Sequence, residues 1–195
     1  RHAHVVLHLA AITGNLELHR DRPGDVFYDN LMMGIQLLEA ARHVGVEKFV
    51  GIGTAAEYPE NGPTPFKEEN IWQGYPQPMH APYAIAKKML LVQGQAYYAQ
   101  YHFHGVHLLL NNIYGPYERV ESGYVIPSLI KKIIDAQKRN LDFIQIWGSG
   151  NSRRDFLYAE DAAEGVVRAA ERYDKPEPVN LGSGGDIAIK DLVKK

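Results

Sequence analysis

The sequence predicts an α/β fold in which a doubly wound parallel sheet is covered by helices on both faces. Short apolar runs alternate with amphipathic stretches of helical length, cap and stop residues punctuate the helices, and a long polar loop follows one of the runs. Val5 to Ala11 reads as a buried parallel strand, and Gly14 opens a loop. From Val26, the positions Leu31, Ile35, Leu38 and Ala41 recur at helical spacing, with Asp25 as N-cap and Gly45 past the end. Lys48 to Thr54 is the next strand. Pro59, Gly62, Pro63, Pro65, Gly74, Pro76 and Pro78 then mark a long irregular segment, the kind of loop that usually serves function in a compact domain.

Pro82 suits the first turn of a helix that runs to a stop at Gly105, before strand Val106 to Asn112. Helix Pro127 to Lys138, strand Asp142 to Trp147, a turn from Gly148 to Asn151, helix Glu160 to Arg172 and strand Pro178 to Leu181 follow, with a last helix near Ile187. In such a sheet, ligands bind outside the carboxyl ends of the strands. A dinucleotide-binding fold of this type opens with strand, glycine-rich turn and helix, yet no Gly-x-Gly-x-x-Gly follows a strand here. Gly51-x-Gly53 and the group Gly182, Gly184 and Gly185 read as turns. The chain is therefore expected to be a fragment, truncated before the glycine-rich turn and stopping inside a helix at Lys195.

Composition narrows the function. With 195 residues the chain is long enough for one substantial core. Its 21 Lys and Arg against 23 Asp and Glu give a net charge of −2, without the basic excess of a nucleic-acid or polybasic membrane-surface binder. The apolar stretches fall short of the roughly 20 residues that span a bilayer. The absence of cysteine rules out disulfides and thiol nucleophiles and suits a cytoplasmic location. His102, His104 and His107 read as helix-end and strand-edge residues, and no metal site is expected.

Tyr83 and Lys87 lie four apart on one helix, so their side chains share a face. An ammonium beside a phenol favours the phenolate, shifting a reference pKa of about 10 by roughly 1 to 3 units. Thr54, at the carboxyl end of the preceding strand, can place a hydroxyl against the same substrate oxygen. These are the parts of a proton-transfer site that pairs naturally with hydride transfer to a nicotinamide.

The ordered motifs His8-Leu9-Ala10-Ala11, Asn30, Gly53-Thr54-Ala55-Ala56-Glu57-Tyr58-Pro59, Pro82-Tyr83-Ala84-Ile85-Ala86-Lys87 and Asn112-Ile113-Tyr114-Gly115-Pro116 resemble the extended short-chain dehydrogenase/reductases. Within these, the chain is similar to the NAD-dependent epimerase/dehydratase family, nearest to its fucose-synthase-like nucleotide-sugar epimerases and reductases. Val125-Ile126-Pro127, Trp147-Gly148-Ser149-Gly150, Arg154-Asp155-Phe156-Leu157 and Asn180-Leu181-Gly182 extend the likeness over nearly the whole chain. The resemblance implies a partial Rossmann-like domain spanning 1–195, with substrate-binding segments interleaved at about 117–158 and 183–195. It implies NAD or NADP as cofactor and a nucleotide-sugar as substrate, with Thr54, Tyr83 and Lys87 as the catalytic set. His8, Ala10, Ala11, Asn30, Tyr83, Lys87 and Ile113 would contact or border the cofactor. Asn112, Lys132, Trp147 and Arg154 would face the nucleotide-sugar, the two cations meeting its diphosphate and Trp147 giving an apolar contact. A homodimer built from the helices Val26–Val44 and Pro82–His104 is implied as well.

Two departures shape the substrate reading. The fucose-synthase branch carries a Cys two positions after the hydroxyl residue and a His before the Val-Ile-Pro run, both exchanging protons at sugar carbons; Ala56 and Tyr124 stand there. Sugar dehydratases carry an acidic pair directly after the hydroxyl, where this chain has Ala55 and Ala56, with Glu57 displaced by one position. The expectation is a C4 epimerase or 4-ketoreductase. The alternative is a non-catalytic nucleotide- or nucleotide-sugar-binding protein that keeps the fold without turnover.

Overall fold

The structure, a computed structural model, describes residues 3–120 and 123–194. They divide into two compact units, one comprising the chain up to Asn111 with Ala163–Leu181, the other Asn112–Ala162 with the segment from Gly182 onward.

The first unit holds β1 (Val5–His8), α1 (Leu16–Asp21), α2 (Pro23–His43), β2 (Lys48–Thr54), α3 (Ala81–Tyr101) and β3 (His104–Leu110). After the second unit's β4 (Asn112–Tyr114), α4 (Val125–Lys138), β5 (Arg153–Arg154) and β6 (Phe156–Tyr158), helix α5 (Ala159–Arg172) leads to β7 (Val179–Leu181). The second unit closes with β8 (Ile187–Ala188) and α6 (Ile189–Leu192). Strands β1, β2, β3 and β7 form a parallel sheet in that order, as the alternation of strands and helices predicts. In the second unit β4 pairs parallel with β6, and β5 antiparallel with β8.

Alternation along the strands divides the first unit's core. Phe49 packs with Leu38, Ala41, Leu90 and Phe103 on the side of α2 and α3, whereas Val50 packs with Val106, Leu108 and Val166 on the side of α5. Covering both faces in this way is the doubly wound arrangement. Tyr97 of α3 donates to Glu39 of α2 at 2.6 Å, and Gln93 donates to the Ile35 carbonyl at 3.0 Å. Hydrogen bonds from Arg42 and Tyr97 hold the Glu39 carboxyl down at about 2.

Several boundaries differ from the sequence expectations. Strand β1 is four residues long and only partly buried: Val5 and Leu7, alternate residues on one face, are 46% and 41% exposed, and among the described residues the strand pairs with β2 alone. Helix α1 was not anticipated; Asn15 caps it by accepting from the Leu18 N–H at 3.2 Å. Helix α2 begins at Pro23, with Arg22 rather than Asp25 at the cap, and Asp25 instead binds Arg22 within the first turn at 2.8 Å. Helix α3 ends at Tyr101 through His102 in the left-handed conformation (φ 55°), and Gly105 lies inside β3. Gly51 and Gly53 are likewise strand residues of β2, not a turn. A Cβ at Gly51 would stand 2.8 Å from Leu90 Cδ2, so this glycine lets α3 approach the sheet closely.

The expected strand from Asp142 to Trp147 is irregular chain. Phe143 and Trp147 are largely exposed, and the Gln145 carbonyl is taken by Lys132 Nζ at 2.8 Å instead of a sheet ladder. The C-terminal segment near Ile187 enters as β8 before the short α6.

Candidate active site

The carboxyl ends of β1 and β2 and the first turns of α3 carry the candidate chemistry. Thr54 is the last residue of β2 and the N-cap of a 3-10 turn, Ala55–Glu57. Its Oγ1 accepts from the Ala56 N–H at 3.2 Å, and Glu57 Oε1 accepts from the Thr54 N–H at 2.9 Å, a reciprocal capping box. One lone pair of the hydroxyl is thereby committed, while its own hydrogen remains to be donated. The turn packs against α3.

Tyr83 lies in the first turn of α3 and Lys87 one turn further, on the same face. Tyr83 is half-buried, and its ring meets His19 of α1 edge-on at 5.8 Å. His19 in turn meets His80, the residue before α3, at 4.7 Å. Burial pushes both imidazoles below their ordinary range, with His80 adding to the effect on His19. Lys87 is buried, and its Nζ donates to the Ala10 carbonyl at 3.3 Å. Burial draws the Lys87 ammonium below the usual lysine range, and Glu57 opposes that shift. His8, buried at the end of β1 against the Phe49 ring at 5.9 Å, is lowered by burial and then by the Lys87 charge.

Ala10 and Ala11 follow β1 in irregular chain, with Ala10 exposed. Asn30 is buried in α2 and spends both amide hydrogens on backbone, donating to the carbonyls of Ile12 at 2.8 Å and Val26 at 2.7 Å. Its oxygen accepts from the Ile12 N–H at 2.9 Å. Asn30 thus fixes the chain that leaves Ala10 and Ala11, rather than presenting free donors to a ligand.

The loop between β2 and α3 is tied down. Lys88, adjacent to Lys87 and also buried, donates to the Ile71 carbonyl at 2.8 Å and stands 4.9 Å from the Trp72 ring centre. Asn180 of β7 donates from its backbone N–H to Glu68 at 2.8 Å and from its amide to the Phe66 carbonyl at 3.1 Å. It also accepts from the Tyr58 hydroxyl at 2.8 Å. Burial drives the Tyr58 phenol up to about 12, so it stays a donor.

The remaining candidates lie in the second unit. Asn112 and Ile113 form β4, and Asn112 donates to the Asp155 carbonyl at 3.1 Å. Lys132 Nζ stands 5.5 Å from the ring centre of Trp147, which is 87% exposed and therefore not a core residue. Arg154, in β5, is exposed and donates to the Arg153 carbonyl at 2.7 Å.

Sequence reasoning missed the buried partners. His107 is not a strand-edge histidine: it sits inside β3, 3% exposed, with Nε2 3.0 and 3.2 Å from the two oxygens of a fully buried Glu57. The pair is 50 residues apart in sequence, which local spacing does not reveal. His19 gave no signal because its helix was read as loop.

A strand-end hydroxyl, a phenol and a buried ammonium on the following helix make a site suited to moving protons at an alcohol or ketone oxygen. The chain belongs to the NAD dependent epimerase/dehydratase family, whose profile matches residues 1–182. It is 36% identical over 191 residues to a GDP-L-fucose synthase of Sinorhizobium fredii, covering 97% of this chain and 61% of that protein. Among solved structures, it superimposes on a GDP-mannoheptose C4 reductase of Campylobacter jejuni with NADP bound, with a TM-score of 0.86 at 26% identity. That match covers 98% of this chain and 65% of that one. A GDP-L-fucose synthetase of Naegleria fowleri bound to NADP gives a TM-score of 0.85 at 28% identity, over 98% of this chain and 60% of that one. The chain thus spans between 60% and 65% of the length of these three relatives. Among the described residues, no helix is long and apolar enough to cross a membrane.

Proposed function

We propose that the full-length protein is an NAD(P)-dependent enzyme acting on a GDP-sugar, by 4-ketoreduction or C4 epimerisation. Bound nicotinamide supplies the hydride donor or acceptor. Tyr83 moves the proton to or from the sugar oxygen through its hydroxyl, and Thr54 donates a hydrogen bond to that oxygen. Lys87 favours the phenolate of Tyr83. Ala56 and Tyr124, standing where the fucose-synthase branch has its proton-exchanging Cys and His, favour reduction over double epimerisation.

The observation that carries this reading is Lys87: a buried ammonium on the face of Tyr83, bonded to the carbonyl of Ala10 in the segment just after the first strand. An ammonium has three donors. Ala10 occupies one, and the vicinal hydroxyls of a nicotinamide ribose suit the others. His8, Ala10, Ala11 and Ile113 are proposed to border that cofactor, with Asn30 fixing the approach. Asn112, Lys132, Trp147 and Arg154 are proposed to receive the GDP-sugar, Lys132 and Arg154 neutralising diphosphate.

Titrating the full-length protein with NADPH and following nicotinamide fluorescence tests this. Saturable binding, weakened roughly tenfold or more in Lys87→Met, is expected from the loss of a charge-assisted hydrogen-bond donor. Binding of a GDP-sugar without any response to NADPH or NADH would instead establish the non-catalytic alternative.

We also propose that a second copy packs on α2 and α3. Leu37, Val44, Val92 and Tyr101 are exposed there, beside a groove lined by Ile35, Glu39, Ala40 and Gln93. Light scattering of the full-length protein is expected to give twice the protomer mass; a monomeric mass at micromolar concentration refutes the packing.

A further inference from the structure

From Leu9 to Asp25, the chain that joins β1 to α2 buries a single side chain, His19 of α1, which is 4% exposed. A six-residue helix is not held by its own propensity and depends on tertiary contact. Its leucines do not supply that contact: Leu16 is 59% exposed and Leu18 only partly covered. His19 does, and it lodges against α3. Its ring meets His80 at 4.7 Å with the planes at 87°, and Tyr83 at 5.8 Å with the planes at 70°. His80 and Tyr83 stand three residues apart at the start of α3, hence on one face, and the imidazole contacts both.

An imidazole is a costly way to fill such a place. His19 Nδ1 is buried with no hydrogen-bond partner among the described residues, whereas a leucine would bring no polar atom to desolvate. What the imidazole offers instead is a flat ring, whose edge-on contacts define the orientation of a neighbouring ring. Both of its supports are fixed. The His80 N–H donates to the Gln77 carbonyl and its carbonyl accepts from the Ala84 N–H, each at 2.9 Å. Across the contact, Asn15 caps α1, the Arg22 N–H closes it on the Leu18 carbonyl at 3.0 Å, and Asn30 holds Ile12.

We infer that His19 is a positioning residue, the peg by which α1 holds the Tyr83 ring and presents its hydroxyl at one angle. The inference rests on the proposed proton transfer through Tyr83, in which His19 itself exchanges no proton. The test compares full-length His19→Ala, His19→Leu and His19→Phe. In His19→Ala, kcat per NADPH-binding site is expected to fall about tenfold, because small misplacements of a reacting group are costly in rate. The NADPH dissociation constant should stay within threefold, since Lys87 and Asn30 are untouched. His19→Leu, which restores bulk without a ring, is expected to stay low, and His19→Phe to recover most of the rate. A purely structural role would lower the number of NADPH-binding sites and leave the rate at each unchanged. In protein labelled with 3-fluorotyrosine, the Tyr83 19F signal, assigned by its loss in Tyr83→Phe, is expected to move in His19→Ala and to return toward its parent position in His19→Phe. An unmoved signal, or a rate within twofold of the parent, in folded His19→Ala overturns the inference; should that variant fail to fold, the same result in His19→Leu does so. Tyr83→Phe keeps the two failures apart: full activity in that variant refutes the proposed chemistry, whereas lost activity there with full activity in His19→Ala refutes the peg alone.

Discussion

Replacing Tyr83 with phenylalanine is expected to reduce turnover of a GDP-4-keto-sugar by about a thousandfold while leaving the thermal midpoint nearly unchanged. General acid–base catalysis by a positioned side chain contributes on the order of 10² to 10⁴ in rate. The substitution removes one hydroxyl and keeps the ring that meets His19 edge-on. The neighbouring imidazoles do not substitute for it: burial disfavours the charged forms of His19 and His80, which leaves Lys87 as the cation on the tyrosine's own face. Binding of NADPH should persist, since Lys87 is untouched. Steady-state kinetics of the full-length variant decide the matter, and a rate within threefold of the unmodified enzyme removes Tyr83 from the mechanism.

Gly53→Ala is expected to give the largest loss of stability from a single added methyl, about 3 kcal/mol, at the upper end of the usual cost of overpacking. The new Cβ would stand 2.5 Å from Glu57 Oε1 and closer still to His107 Nε2. Neither neighbour is the free end of a flexible side chain, because each is buried and bonded to the other. The strain is relieved by breaking that pair or by shifting the end of β2, and either movement displaces Thr54. For a chain of this size the thermal midpoint should fall by roughly 6 to 12 °C, measurable by calorimetry, with turnover falling as well. A midpoint within 1 °C of the parent would show that the strand end accommodates a side chain.

What could be read from the sequence was what local chemistry determines. Strand β2 ends at Thr54 as its apolar run predicts, and α3 begins where Pro82 suits a first turn. The motif order located the family because several short, spaced signatures agree. Glycine was ambiguous: Gly51 and Gly53 read as turn residues, whereas in β2 they make room for Leu90 and for the Glu57–His107 pair. Apolar residues between Asp142 and Trp147 imitated a strand, but with Phe143 and Trp147 facing outward the segment has no ladder to join. The buried charges around Thr54 were illegible for a different reason. Glu57 meets His107 only after two strands align, and no local pattern records a contact made by tertiary pairing.

Asn180 carries a consequence for the order of assembly. Three of its polar atoms clasp Tyr58, Phe66 and Glu68, partners 112 to 122 positions upstream. Contacts so distant along the chain form late, since closing them requires most of the intervening polypeptide to be in place. During synthesis, the proline-rich stretch after β2 leaves the ribosome long before the strand that fastens it. The fastening of that loop is therefore acquired at the end of maturation, and a nascent chain halted before residue 180 has helix α3 but not the anchor for the segment that precedes it.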